Sequence, residues 1–161
     1  MDVHSRISPK VTVPKAFATP EEYLQALPPE RRKVIAATRK LVNKHLPEGY
    51  VERQDGGFIS WEIPLADYPS THNKQPLCYI GLAAQKNYHA LYLVGCYMSE
   101  TQRGALEAAY REAGRKIDMG KSCLRFATYG ELPHETLGAL IASMPPAEFI
   151  RTYEESRKKA K

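Results

Sequence analysis

The amino-acid sequence predicts a single α+β domain with a mainly antiparallel sheet of about four to five strands and helices packed chiefly on one face. Apolar residues recur at helical spacing before Pro47 and again after Ser99, whereas between these regions they alternate with the period of two that is typical of strands. This order lacks the regular strand and helix alternation of a doubly wound parallel sheet. A length of 161 residues with 43% hydrophobic residues suits one core.

The domain itself is predicted over residues 19–157, between a flexible N-terminal arm at 1–18 and a basic tail at 158–161. The arm lacks periodicity, apart from a short strand predicted at 10–13, and it lacks the continuous apolar stretch of a signal peptide. No segment is apolar enough to span a membrane. The three cysteines match neither a metal clip nor a disulfide framework, so we expect a cytoplasmic protein.

Helix starts are marked by capping residues and prolines. Thr19, Pro20 and Glu22 form the pattern of a capping box and predict a short helix through Leu27. A second helix follows Pro28-Pro29 and ends by Pro47. Further helices are predicted from Ser99 to near Lys116, from Pro133, and from Pro145-Pro146 through Tyr153.

Strands are predicted where the apolar period changes to two, over residues 58–63, 77–84, 88–94 and 122–127. Residues 64–76 separate the first pair and are long enough to be either a functional loop or a mobile one. Residues 85–87 are short enough for an antiparallel hairpin, in which Asn87 suits a left-handed conformation.

Three segments resemble the YdhG-like family of small bacterial proteins. They are Trp61-Glu62-Ile63-Pro64, the run from Tyr79 to Tyr88, and especially the run from Asp118 to Phe126, DMGKSCLRF. The resemblance extends from about Thr19 to Tyr153 and implies a compact cytosolic α+β fold. One branch of the family has been proposed to be a frataxin-like intracellular iron chaperone, so the resemblance also implies iron as a cargo. It supplies no catalytic residues.

The charge pattern argues against iron as the main function. An iron-carrying surface needs clustered carboxylates, but the few acids of the first helices are followed by Arg31-Arg32-Lys33, and the net charge is +5. The histidines lack metal-ligand spacing, so neither a metal site nor a cofactor is predicted, and the iron chaperone stands as the alternative. His89 shares its strand face with Leu91 and Leu93, which favours a structural role.

Strand alternation places a semi-polar, aromatic face on the sheet. If Ile80, Leu82, Leu91 and Leu93 face the helices, the other face carries Ser60, Glu62, Tyr79, Tyr92, Cys123 and Arg125. Two interpretations remain open for that face. It is either a satellite core under the 64–76 loop or a surface for a small ligand or for a second subunit in a homodimer.

The predicted function is non-enzymatic binding of a small anionic molecule or a protein partner at this tyrosine-bearing face. Lys86 and Asn87 would act from the hairpin tip, Arg125 would be a bidentate donor, and Tyr79 and Tyr92 would form the floor. Gly120-Lys121-Ser122 resembles the end of a phosphate-binding P-loop, but the upstream glycine is one residue too far and follows a helix. We therefore expect at most an anion-binding turn at residues 120–122, supported by Lys121 and Arg125.

Cys123 is the one candidate for catalysis. Lys121 and Arg125 flank it in sequence and would lower the pKa of its thiol if they approached the sulfur, so a thiol-dependent enzyme is a second alternative. A buried, inert cysteine is the competing interpretation. Nucleic acid is not favoured as a partner, because the basic residues fall at spacings suited to solvated helix faces and no recognition motif accompanies them.

Overall fold

The computed structural model describes residues 19–55 and 57–159, and in this part of the chain it confirms the α+β prediction. Five antiparallel strands follow one another across the sheet in chain order: β1 (Val51–Asp55), β2 (Phe58–Ile63), β3 (Leu77–Ala84), β4 (His89–Leu93) and β5 (Cys123–Phe126). The helices are α1 (Pro20–Ala26), α2 (Pro29–His45), α3 (Val94–Met98), α4 (Glu100–Glu112), α5 (His134–Ala142) and α6 (Pro146–Lys159), with a 3-10 turn at Tyr129–Glu131.

The ends of the helices follow from local chemistry. The Thr19 hydroxyl accepts a hydrogen bond from the Glu22 amide at 3.2 Å and begins α1 as predicted. Helix α4 ends at Glu112, four residues before the predicted Lys116, because Gly114 adopts a φ of +69°. The amides of Gly114 and Arg115 then bond back to the carbonyls of Arg111 and Tyr110, each at 2.9 Å. This is a Schellman turn, and it turns the chain sharply out of the helix.

Three local features differ from the sequence prediction. Strand β1 was not predicted, because its Val-Glu-Arg-Gln-Asp sequence lacks the apolar alternation of a half-buried strand. Residues 94–98 form helix α3, although the predicted strand ran on to Val94. The hairpin at residues 85–87 does form, but Asn87 is not left-handed, since Lys74 alone among the described non-glycine residues has a positive φ.

The apolar core lies between the sheet and helices α2 and α5. Trp61, Leu82 and Leu91 are fully buried on one face of the sheet, and the Trp61 indole donates to Asn43 of α2 at 2.8 Å. Helix α5 packs closely on α2. This packing fixes the sheet beneath the helices and sets which side chains reach the ends of the strands.

Several basic side chains of α2 are structural, whereas the sequence suggested a solvated helix face. Arg31 donates to the carbonyls of Gln85 and Tyr88 in the β3–β4 hairpin. Arg32 binds the last carbonyls of α1, and Arg39 pairs with both Glu21 and Glu52. Part of the positive charge is therefore committed to holding elements together.

The prediction that Tyr79 and Tyr92 form one floor is wrong. The register shifts between Trp61, which pairs with Ile80, and Glu62, which pairs with Cys78, so Tyr79 has no partner of its own on β2. Its hydroxyl instead donates to the Ile141 carbonyl of α5 at 2.8 Å, and its ring stacks on Tyr50 with the ring centres 4.5 Å apart. Tyr92 lies elsewhere on the sheet, and both tyrosines are buried.

The 64–76 segment packs against α6. The Tyr68 hydroxyl donates to Glu154 at 2.9 Å, the Tyr153 hydroxyl accepts from the His72 amide at 3.0 Å, and Thr71 is buried. Helix α6 itself continues through Lys159, beyond the predicted end at Tyr153. The predicted arm at 1–18, with its short strand, and the last residues of the predicted tail lie outside the described residues.

Candidate functional site

A cleft of about 520 Å³ lies between the end of α4 and the tip of the β3–β4 hairpin. Its volume lies within the range of about 300–1,000 Å³ that small-molecule sites occupy. The hairpin contributes Asn87 and Tyr88, and strand β5 contributes Arg125 and Phe126. The site is therefore assembled from segments far apart in sequence.

The remaining walls come from α4 and from the turns that follow it and β5. Tyr110 projects from the last turn of α4, and the Schellman turn at Gly114 brings Arg115 and Lys116 to the cleft. Residues 118–120 then run back beside β5, where the Arg125 amide donates to the Asp118 carbonyl at 2.9 Å and the Gly120 amide donates to the Cys123 carbonyl at 3.0 Å. This pairing holds the charged wall against the strand.

Both carboxylates of the cleft are already engaged by the protein. Asp118 accepts from the Arg125 guanidinium at 2.8 Å, and this contact raises the pKa of Arg125. One oxygen of Glu131 accepts from the amides of Ala127 and Thr128 and from the Thr128 hydroxyl, which closes the capping box of the 3-10 turn. Burial raises the pKa of Glu131, but these hydrogen bonds and the nearby Arg115 outweigh it, so the pKa lies below its usual value.

Two cations that line the cleft, Arg115 and Lys116, are engaged by the protein less than its carboxylates are. Within the described residues neither Arg115 nor Lys116 forms a direct ion pair or a side-chain hydrogen bond, although Arg115 acts electrostatically on Glu131. Both side chains are exposed, and with Arg125 they outnumber the two carboxylates of the lining. The charge left over in the cleft is positive, which favours an anion.

Three aromatic residues, Tyr88, Tyr110 and Phe126, also line the cleft. Phe126 and Tyr110 are 3% and 5% exposed, whereas Tyr88 is half-buried and its ring centre lies 5.8 Å from the Arg125 guanidinium carbon. The Tyr110 hydroxyl is buried without a hydrogen-bond partner in the structure. Burial, together with Glu131, raises the pKa of Tyr110 to about 12, so the hydroxyl is neutral at physiological pH.

The structure brings together only part of the site predicted from sequence. Asn87 and Arg125 line the cleft, and Tyr88 lies between Asn87 and strand β4. Lys86 and Lys121 are exposed outside its lining, and Ser122 is buried in a backbone pairing with Leu93. The carbonyls of the 120–121 turn are held by Arg103, at 2.8 and 3.2 Å.

Tyr92 and Cys123 form a separate pair on the sheet. The Tyr92 hydroxyl accepts from the Gln85 amide group at 3.1 Å and also contacts the Cys123 thiol. Burial raises the pKa of Cys123, and although Arg125 and Tyr92 act in the opposite direction, the net shift is upward. The sequence suggested that the flanking cations would lower the pKa of the Cys123 thiol, but in this environment the pKa is not lowered.

The sequence did not identify Tyr88, Tyr110, Arg115, Lys116 or Glu131 as site residues. The one signal in the sequence is the Arg115-Lys116 pair directly after Gly114, since a glycine that ends a helix also fixes the direction of the residues that follow it. The rest of the site depends on how β5, the hairpin and α4 pack together.

Two further observations concern metals and membranes. Among the described residues, no three His, Cys, Asp or Glu side chains lie close enough together to hold a metal ion. None of the described helices has both the length and the apolar content needed to cross a bilayer.

No family model matches this chain, and no curated protein or solved structure matches it. The YdhG-like resemblance carried by residues 61–64, 79–88 and 118–126 stays a prediction.

Proposed function

We propose that this protein binds a small anionic molecule in the cleft between α4, β5 and the β3–β4 hairpin. The observation that carries the proposal is the excess of cations in a cleft whose carboxylates, Asp118 and Glu131, are both already hydrogen-bonded within the protein. Arg115 and Lys116 are then the groups left to neutralise a ligand. An incoming anion gains charge-assisted hydrogen bonds without displacing an existing partner of these two side chains.

Each cation has a distinct role in this proposal. Arg115 offers the planar guanidinium fork that suits carboxylate and phosphate oxygens, and Lys116 adds a mobile point charge beside it. Arg125 remains paired with Asp118 and stacked near Tyr88, so it shapes the wall more than it neutralises the ligand. Asn87, at the hairpin tip, supplies a neutral amide that can both donate and accept.

The binding proposal is tested by calorimetric titration with acetate, benzoate and inorganic phosphate. We expect at least one of these anions to bind, and we expect Arg115→Gln to weaken that binding about tenfold, because one charge-assisted hydrogen bond contributes about 1.5 kcal/mol or more. Arg111→Gln is the matched control, since Arg111 is exposed on the last turn of α4 and lies outside the cleft lining.

Lys121→Gln separates this site from the one proposed on sequence grounds, because Lys121 is exposed away from the cleft. Affinity that falls with Lys121→Gln and not with Arg115→Gln would place the anion at the 120–122 turn and contradict the proposal. Absence of binding for all three anions would also contradict it.

The iron chaperone and the thiol-dependent enzyme using Cys123 stay predictions. Iron transfer would require a cluster of oxygen ligands, and thiol chemistry would require a thiolate stabilised by its surroundings. No observation in the described part of the chain favours either function over anion binding.

A further inference from the structure

The side chains that line the cleft differ in exposure as well as in charge. Arg115 and Lys116 are exposed, whereas Tyr110 and Phe126 are almost fully buried. A ligand that only carried charge would leave the aromatic part of the cleft unused. A ligand with an apolar ring behind its anionic group would bury that ring against aromatic side chains and keep its charge at the exposed cations.

The Tyr110 hydroxyl adds a second requirement. It is buried and has no hydrogen-bond partner among the residues that the structure describes, although Tyr110 lines the cleft. A buried polar group without a partner is destabilising, and a ligand that supplies the partner recovers that free energy on binding. The neutral phenol can donate to the ligand or accept from it.

We propose that the cleft binds a single aromatic ring that carries an anionic group at one end and a hydrogen-bonding group at the other. The anionic end lies with Arg115 and Lys116, and the ring packs among Tyr88, Tyr110 and Phe126. The distal group bonds to the Tyr110 hydroxyl, which is fully buried and meets the ligand once the Tyr110 side chain turns toward it. A carboxylate and a phosphate share this recognition, because both present two oxygens to a guanidinium. This inference rests on the proposed anion-binding function and names the class of its ligand.

The ring requirement is tested by comparing matched pairs of probes on the full chain by calorimetry. Benzoate is compared with acetate, and phenyl phosphate with inorganic phosphate. We expect each aromatic probe to bind about tenfold more tightly than its ringless partner. The comparison also shows whether the anionic end is a carboxylate or a phosphate site, since the tighter of the two aromatic probes identifies it.

The requirement for a distal group is tested with para-hydroxybenzoate against benzoate. We expect the hydroxyl to tighten binding about fivefold in the wild-type chain and to have no effect in Tyr110→Phe. Tyr110→Phe removes a group without a protein partner, so its thermal midpoint should stay at or above the wild-type value. A thermal midpoint at or above the wild-type value would show that a lost preference for para-hydroxybenzoate does not come from unfolding of the variant.

The failures of the two proposals are distinguishable. Equal affinity for benzoate and acetate, and for phenyl phosphate and inorganic phosphate, overturns the aromatic ligand and leaves the anion site intact. Equal affinity for para-hydroxybenzoate and benzoate in the wild-type chain, or a preference that survives in Tyr110→Phe, overturns the role of Tyr110 and with it the proposal. Absence of binding by all of these probes overturns both the ligand class and the anion-binding function.

Discussion

Two buried polar side chains, Tyr110 and His89, differ in what their burial implies. The Tyr110 hydroxyl is neutral over the physiological range and belongs to a residue that lines the cleft, so its lack of a partner among the described residues supports the proposed ligand. His89 lies on the apolar face of β4 and is 5% exposed, with its ring centre 5.6 Å from that of Phe126. Its ring nitrogens lie near the backbone of Phe126 and Ala127 without a well-aligned hydrogen bond. The structural role predicted for His89 agrees with this packing.

The burial of His89 makes the stability of the fold depend on pH. Burial and the charge of Arg31 lower the pKa of His89 below its ordinary value, despite the opposing effect of Glu131. As the pH falls through about 6.5, the unfolded chain takes up a proton that the folded chain resists. The free energy of unfolding should therefore be highest above that pH and should decrease until the folded pKa is reached.

Urea unfolding at several pH values between about 7.5 and 5.5 measures this effect above the range where most carboxylates titrate. The urea midpoint of the wild-type chain should decrease as the pH is lowered, and His89→Leu should make the midpoint depend less on pH. An unchanged slope in His89→Leu would show that His89 is not the group responsible.

At the scale of single elements, α1 depends on a side chain from the next helix. This helix has seven residues, and its last turn contains no basic residue. Arg32 of α2 donates to the Leu24 and Leu27 carbonyls, each at 3.0 Å, and to the Gln25 carbonyl at 3.3 Å. A helix this short is marginal without such contacts, because the carbonyls of its last turn have no intrahelical partners.

Arg32→Ala should therefore loosen α1 more than the rest of the fold. We expect amide hydrogen exchange in α1 to speed up by about tenfold or more, because hydrogen bonds from a charged donor each contribute about 1.5 kcal/mol or more. Lys33→Ala is the matched control, since Lys33 is exposed on the same helix. If α1 exchange is the same in both variants, the capping role of Arg32 is wrong.

The sequence predicted most elements because their signals are local. Thr19 and Ser99 begin helices with side-chain caps, and the alternation in β2, β3 and β4 follows from their position in the sheet. Strand β1 was missed because it pairs with β2 alone and forms one edge of the sheet, where polar residues are tolerated. The placement of Tyr79 was missed because a register shift between two strands leaves no mark in the sequence of either one.

Across the molecule, two groups of cations differ in how far the protein already engages them. Arg31, Arg32 and Arg39 hold elements together, whereas Arg115 and Lys116 are free of direct ion pairs among the described residues. The sequence grouped Asn87 and Arg125 in one predicted site, and both line the cleft, because the hairpin and the last strand could be identified. It could not place Tyr110 or Arg115 there, because their approach depends on how α4 packs beside β5.

Both proposals require the cleft between α4, β5 and the β3–β4 hairpin to be the ligand site. An amide NMR titration of the full chain with para-hydroxybenzoate tests this requirement, because it locates the bound ligand without relying on a variant. We predict that saturable shift changes concentrate at Tyr88, Arg115, Lys116 and Phe126. Changes centred on Lys121 and Ser122, or the absence of saturable changes anywhere, would show that the cleft is not the ligand site.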